Sequence, residues 1–506
     1  SIRSYRARGV GAGSKVELNP KAVYIALQQD PSSVQVEDTN PIHDLKQVED
    51  ISFAGKGGRS TQTMVKRTRA FHESDLGITS EATVDSSKVG SNAYLSANPQ
   101  IANLRGVPLK GDQRNLNPTS LLSTSALNAP AVDHDSANRI NFVSIQNTHV
   151  VASKGAVVSP FRTGYEKVIA HRVSDKYAHT ASMDGEVIEK DGEVAKIQYT
   201  DESEDHIRIG RFYGDMQGTK VPHEVVCDLG VGDKVSKGDV VAYNTGFFER
   251  DPLDNRQVLY RDSVMGTVAL MENQNTWEDA NAVSTEFSSK LESSITETRT
   301  VLVNFEQRIK DLKEENIDVN PDDVLCTIDD GVGEDDEQEE FEILKLMNTH
   351  TPKSKYEGKL ESIEVFYNGD KEMMSESVRE VVDKADRKRK KRAKKRNQTP
   401  TTGEISTNTK INKKTISQNT IAIVFYITKS LHAGVGDKMV FANQMKSVVS
   451  RVLTGINETE SGKQIDAMFG YTSISNRIVL SPEIMGTTNT LLMRMSEIVA
   501  NTYFQD

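Results

Sequence analysis

Gly436-Asp437-Lys438-Met439-Val440-Phe441-Ala442-Asn443-Gln444-Met445-Lys446 is the stretch on which the reading of this chain turns. It follows the apolar run 421–427, which reads as a strand. Its Gly-Asp turn delivers two lysines eight positions apart, with Lys446 opening a second β-run. Lysines held between two strands act as fixed point charges toward phosphates. Two unrelated surface lysines satisfy the same pattern.

Upstream lie two further constellations. Asn275-Thr276-Trp277-Glu278-Asp279-Ala280 holds the only tryptophan of the chain beside an acid pair. Adjacent carboxylates hold Mg²⁺ through water; the plainer alternative is a Trp packed under an exposed acidic turn. Asp133-His134-Asp135-Ser136-Ala137-Asn138-Arg139 crowds charge into one short loop. The Arg139 fork suits a triphosphate, or equally an Asp–Arg structural network. A metal site from Asp133, His134 and Asp135 lacks a second His at a ligand spacing. The run 231–240 (VGDKVSKGDV) reads as a turn-rich β-hairpin, without the Met-Lys-Met tip that a biotinyl or lipoyl carrier needs.

Composition sets outer bounds. The 506 residues suffice for two to four domains. Hydrophobic residues make up 36% and charged residues 27%, with a mean hydropathy of -0.51, on the polar side of ordinary. Two cysteines, Cys227 and Cys326, exclude a disulfide scaffold and a Cys-only zinc site and fit a reducing compartment. No apolar run approaches the roughly 18 residues of a membrane helix, and Ser1-Ile2-Arg3-Ser4 starts no signal-peptide core. The net charge of -11 argues against a chain that coats nucleic acid over its whole surface. Charge is uneven, however. The run 387–396 (RKRKKRAKKR) is nine-tenths basic, and 334–342 (EDDEQEEFE) holds seven acids in nine. A local basic run meets polyphosphates, or forms a solvated helix face.

Along the chain, residues 1–130 are rich in Ser, Asn, Gly and Thr and read as loop-rich, leaning on another chain. Asn40-Pro41 starts a helix that Gly55-Lys56-Gly57-Gly58 ends. Short β-runs fill 140–275. Residues 371–396 read as one long helix, with Glu380–Lys384, Asp383–Arg387 and Asp386–Lys390 in the helpful i,i+4 order. A linker covers 397–418, and a C-terminal helix covers roughly 489–503.

Taken in order, these segments resemble the β subunit of multisubunit DNA-directed RNA polymerases. Glu37-Asp38-Thr39-Asn40-Pro41-Ile42-His43-Asp44-Leu45, with Ser52 to Gly58, is similar to that family's D-Q-x-N-P-L-x-E-L…S-A-L-G-P-G-G. The segment 133–139 is similar to E-H-D-D-A-N-R, 275–280 with Ser284 to G-Y-N-F-E-D-S…S, and 436–450 to G-D-K-M-x-x-R-H-G-N-K-G-V-I-S. Ile478-Val479-Leu480-Ser481-Pro482 matches I-V-L-N-P. There are departures: Asn443-Gln444-Met445 replaces H-G-N, Thr488 stands where the family has an arginine, and E-T-P-E-G-P-N-I-G is reduced to Thr83 through Gly90. Divergence, and a β that starts just before the fork region, resemble the split polymerases of giant (phiKZ-like) bacteriophages.

The resemblance implies a mixed α+β, multidomain chain: a β-rich RNA polymerase β-subunit core (hybrid-binding domain) with a flap insertion. It divides into a fork and rifampicin-pocket-like region at 1–150, a first core part at 151–300, a flap-like domain with the basic helix at 301–419, and a second core part at 420–506. It implies a subunit of a phage DNA-dependent RNA polymerase that is active only in a multisubunit complex. Arg139 would face the incoming nucleoside triphosphate. Lys438 and Lys446 would contact the RNA 3′ end. Glu278 and Asp279 would lie near a second Mg²⁺ without being direct ligands, the main Mg²⁺ aspartates belonging to a β′-like partner. Asn40, Ser52, Arg387, Lys388, Arg389 and Lys390 would contact nucleic acid. Implied partners are an N-terminal β part, β′-like chains, a promoter-specificity subunit, template DNA and product RNA, with no membrane. The implied location is the infected host's cytoplasm or the virion. Gln47, Asp50 and Thr61, where the family has His and two Arg, imply rifampicin resistance. Two competing readings are a virion structural or non-catalytic nucleic-acid-binding protein that kept the fold, and a split cellular or plasmid polymerase.

Overall fold

The computed structural model describes residues 26–27, 33–53, 58, 60–103, 106–109, 116–261, 263–330, 349–405, 410–412 and 414–505. The expected glycine stop at 55–57 and the acidic run 334–342 lie outside the described residues. The chain forms two compact units. The smaller contains Leu45–Leu127 and Ser136–Ile145; the larger contains Glu37–Asp44, Asn128–Asp135 and everything from Gln146.

The smaller unit is built on three short antiparallel strands, Asp50–Ser52, Asn92–Leu95 and Thr79–Thr83, with Asn92–Leu95 in the middle. Its buried apolar side chains are mostly alanines, among them Ala82, Ala93 and Ala97. Polar links therefore hold its pieces. Glu81 accepts from the backbone N–H and hydroxyl of Ser123 at 2.8 and 2.6 Å, and Thr124 donates to Glu49 at 3.0 Å. Burial pushes the Glu81 carboxyl above its ordinary range. Burial also lowers the Lys46 ammonium, set 4.7 Å over the Tyr94 ring, to about 8.

The larger unit is organised by the strand Thr420–Leu431 (TIAIVFYITKSL). Ten of these twelve residues are buried or half-buried on both faces, as a run of β-branched and aromatic residues favours. It pairs along its whole length with Ser293–Asn304 on one side and, over Thr420–Thr428, with Gly358–Asn368 on the other. Strands from either side of residue 301 thus share one eight-stranded sheet, extended through Thr219–Val226 and Val240–Asn244 to Ala178–Thr180. Ile421, Ile423, Phe425 and Ile427 point to one face, where Val378 and Val382 of the helix Glu376–Lys395 join the same core. A second core gathers Val187, Ile197, Ile207, Phe212 and Val241.

A third sheet interleaves remote segments in the order Val268–Leu270, Ala467–Phe469, Ala280–Ser284, Met445–Leu453, Lys438–Phe441. Two of its pairings are parallel, which a long connection between the paired strands permits.

Several expectations change. The run 231–240 is not a hairpin: Lys234–Val235 pairs with Gly185–Lys190, while Val240–Asn244 pairs with Thr219–Val226 and Ala178–Thr180. The first helix, Pro41–Glu49, ends where Asp50 enters a strand, ahead of the glycines. The basic helix starts at Glu376 after a separate turn at Lys371–Met373, because Ser375 caps it. Its i,i+4 pairs give way to longer-range ones. Asp383 and buried Asp386 both take the Lys371 ammonium at 2.8 Å. Burial alone would push the Asp386 carboxyl up, but Lys371, the Gly403 N–H and the Tyr367 hydroxyl hold it below its ordinary range. The C-terminal helix spans Ser481–Phe504, starting eight residues before the expected 489. Beyond Asn489 it exposes Leu491, Met495, Ile498 and Val499, a helical i, i+4, i+7, i+8 stripe. No helix among the described residues is long and apolar enough to cross a membrane.

The Glu37–Asp44 peptide is stitched into the larger unit. Asp38 donates its N–H to the Asp215 carbonyl at 2.7 Å, His223 meets the Asp38 carbonyl at 2.8 Å, and Lys176 pairs with its carboxylate at 2.6 Å. The approach needs Gly214, where a Cβ would lie 2.6 Å from Asp38 Cβ. Asn40 is 0% exposed. Its side chain accepts from the His43 N–H at 2.7 Å and donates to the carbonyls of Asn147 and Val150 at 2.9 and 2.7 Å. Every polar atom of the Asn40 side chain is engaged inside the chain, and it offers no surface to a nucleic acid. Losing an N-cap costs about 1 kcal/mol, and each buried carbonyl left unpaired about 1–3 kcal/mol. Asn40→Ala should therefore destabilise the chain by about 3 kcal/mol, seen as a fall of several degrees in the thermal unfolding midpoint. An unchanged midpoint would remove the capping role.

Candidate functional site

The hairpin of the opening motif forms because its residues sort by face. Met445, Ser447 and Val449 are buried, while Lys446, Val448 and Ser450 are not. Pairing sets Lys438 opposite Val448 and Val440 opposite Lys446. Directly opposed residues share a face, so both lysines project from one exposed face as diagonal neighbours. They lie in the strands themselves rather than in the loop between them. That loop bends through Ala442 and Asn443, both left-handed at φ 46° and 67°, as a type I′ turn requires.

The Trp277 segment abuts this hairpin. Ala280 pairs with Val448, the Val448 N–H donates to the Asp279 carbonyl at 3.0 Å, and Ser450 donates to the carbonyls of Asn275 and Asn281. Trp277 is 73% exposed, so it is not packed beneath the acidic turn. The two acids separate in role. Asp279 is gripped by Arg477, whose Nη2 donates to Oδ2 at 2.8 Å and whose Nη1 lies 2.7 Å from Oδ1. Glu278 is exposed and left-handed at φ 54°, while its carbonyl accepts from Ser473. Among the described residues no three His, Cys, Asp or Glu side chains converge as a metal site. His134 lies 3.8 Å from the carboxylate of its neighbour Asp133.

A third motif closes the arrangement. Asp135 Oδ1 accepts from the N–H groups of Leu480 and Ser481 at 2.9 and 3.1 Å, and Oδ2 accepts from Gln444 at 2.6 Å. Gln444 also donates to the Ser481 hydroxyl at 2.9 Å. A carboxylate at these N–H groups caps the long helix and complements its dipole. That is why the helix starts at Ser481. Asp135, Gln444, Ser473 and Arg477 are the residues whose roles the sequence does not announce. Each has a partner 195 to 346 positions away, beyond any spacing rule.

Other sequence candidates fall elsewhere. Arg139 belongs to the smaller unit, half-buried on the helix Ala137–Asn147 with its guanidinium 5.1 Å from the Phe142 ring. Ser52 ends an exposed strand of that unit. In the basic helix, Lys388 pairs with Glu315 at 2.7 Å, and Arg389 is tied to Asp386 and to the Val365 carbonyl. Arg387 donates to the Asp383 carbonyl, at the solvent-facing side of the helix, and Lys390 is exposed beside it.

The chain is similar to the DNA-directed RNA polymerase subunit beta from two strains of Thermus thermophilus. Each is 28% identical over 154 residues, 29% of this chain and 13% of the relative. The likeness is partial and runs to a β-type subunit. The chain thus matches about an eighth of the length of these relatives. No family model matches it.

Four non-glycine residues of the site are in the left-handed region: Glu278, Ala442, Asn443 and Ile478. Ile478, at φ 52°, is the costliest, since a β-branched side chain strains this conformation most. It is 82% exposed, so little burial is at stake. The left-handed conformation costs a non-glycine residue about 1–2 kcal/mol, and glycine returns about 0.5–1 kcal/mol through the unfolded chain. Ile478→Gly should therefore stabilise the chain by about 0.5–1 kcal/mol, read as a higher thermal unfolding midpoint. A lower midpoint would mean that Ile478 makes a packing contribution this geometry does not contain.

Proposed function

We propose that this chain is a β-like subunit of a multisubunit DNA-dependent RNA polymerase, and that the Lys438/Lys446 face acts at the nucleotide-addition centre. The observation that carries the reading is convergence. Four segments similar to polymerase β motifs, separated by up to 346 positions, meet around one exposed pair of lysines. The partial identity to a bacterial β subunit supports the same reading.

In this reading the two ammonium groups are held on a rigid hairpin face and stabilise negative charge as it develops on transferring phosphate. Glu278, the exposed acid, lies on the loop that hydrogen-bonds to the Met445–Leu453 strand. Asp279 is a positioning residue, since its carboxylate is neutralised by Arg477. Mg²⁺ supplies the gripping of attacking and leaving oxygens in such reactions. Its ligands belong, in this reading, to a β′-like partner. We further read the chain as one part of a split β of phage type, with Arg139 toward the triphosphate and a segment around Gln47 and Asp50 that does not hold rifampicin.

The test is made in the assembled enzyme, purified with whatever chains accompany it. Lys438→Ala and Lys446→Ala should each cut single-nucleotide addition roughly 10²-fold, equivalent to about 2.7 kcal/mol, while assembly stays intact by gel filtration. Rates within about twofold of wild type would reduce the pair to surface lysines. Copurification without any chain that contributes an aspartate Mg²⁺ site would count against the subunit reading itself.

A further inference from the structure

The helix Glu376–Lys395 carries two basic faces that differ in kind. Lys384, Arg387, Lys390, Lys391 and Lys394 lie along one side, in whole or in part open to solvent. Lys388, Arg389, Arg392 and, just past the helix, Arg396 turn the other way and line a cavity of about 860 Å³. The cavity's other walls come from the strands Glu204–Arg208, Gly210–Met216 and Gly358–Asn368.

Eight basic side chains line this cavity against five acidic ones. Most of the charge is matched in place. Lys388 meets Glu315, Arg392 donates to Glu193 at 2.9 Å, and Arg211 takes Glu361 at 2.8 Å. Arg208 and Arg396 are different. Neither makes an ion pair among the described residues, and the Arg396 Nε is buried with no hydrogen-bond partner. Arg208 lies 4.7 Å over the Phe212 ring. Burial, and then the positive charges of Arg396 and Arg392, lower the Arg208 side chain to about 10; burial and Arg392 lower Arg396. Guanidinium groups stay charged at neutral pH. The fold therefore holds three like charges together. The lining carboxylates that offset them are already engaged, Glu193 by Arg392 and Glu364 by the Tyr426 hydroxyl. Arg392 is itself paired with Glu193, so the repulsion is partly offset; an anion relieves what remains, and forked donors suit a phosphate best.

We propose that Arg208, Arg392 and Arg396 form a phosphate-binding site in this cavity, separate from the Lys438/Lys446 face and independent of the polymerase reading. The ligand chemistry is a phosphate group, borne either by a nucleic-acid strand or by a small polyphosphate.

The experiment uses the full chain with two probes, sodium tripolyphosphate and a fluorescein-labelled ten-nucleotide RNA. Binding is followed by the thermal unfolding midpoint and by anisotropy. Wild type should bind at least one probe and rise in midpoint as it does. Arg208→Gln and Arg396→Gln should each weaken that binding about tenfold or more, as expected for a lost charged donor. Lys384→Gln with Lys394→Gln, on the other face, should leave tripolyphosphate binding within about twofold. Without probe, Arg396→Gln should not lower the midpoint, because it removes a repelled charge; this also serves if Arg208→Gln fails to fold. Tripolyphosphate binding that competes with RNA identifies a small-polyphosphate site, and RNA binding alone identifies a strand phosphate. The proposal is overturned if neither probe shifts wild type at millimolar concentration, or if both arginine variants bind as wild type does.

Discussion

One carboxylate sets the arrangement of the candidate site. Asp135 receives two backbone N–H groups from the start of the C-terminal helix and the amide of Gln444 from the lysine hairpin. Three segments that the chain visits far apart in sequence are fixed to one another there. The adjoining Arg477–Asp279 pair ties in a fourth. The five-stranded sheet depends on the same closure, because its parallel pairings have no local turn to set their register. Preorganisation of this sort fixes the strands that carry the two lysines, while the lysine side chains themselves stay exposed.

Charge in the molecule is handled by segregation. The sequence is acidic overall, with a strongly basic decapeptide. In the fold much of that decapeptide is neutralised from within, by Glu315, Asp386, Glu193 and Asp191. What survives is a stripe on one helix face and a knot of arginines on the other. A uniformly solvated helix would leave neither the cavity nor its crowded guanidinium groups. Electrostatic reading of a basic run is thus a reading of which charges lack partners, and only packing decides that.

Local signals in the sequence are reliable where a single element answers to its own residues. The Thr420–Leu431 strand follows from an apolar β-branched run, and Asn40-Pro41 starts a helix as an N-cap and first-turn proline should. Signals fail where the partner is remote. The segment 231–240 has hairpin chemistry at its turn, yet each flank finds a better partner elsewhere. The C-terminal helix begins at Ser481-Pro482, a start signal of the Asn40-Pro41 kind that lies eight residues ahead of the expected 489; what is not legible there is that remote Asp135 caps it. The lysines of the site are visible as motif residues; the Asp135, Gln444 and Arg477 contacts that hold the site are not. Asn40 shows the converse: its motif is legible, but its chemistry is consumed by Asn147, Val150 and His43.

The C-terminal helix carries a mechanical consequence. It is pinned at Ser481 by Asp135 and again at Asn489, whose side chain accepts from the Phe161 N–H and the Ser159 hydroxyl. From one pin to the other is eight residue steps, about 12 Å of helix; beyond them run fifteen more residues to Phe504, about 22 Å. It is a cantilever with an arm nearly twice its clamped base. A sideways load on the apolar tip is therefore delivered, multiplied, to Asp135 and Gln444, the residues that brace the lysine hairpin. The stiffness of the candidate site and the freedom of the helix tip are set by the same pair of pins.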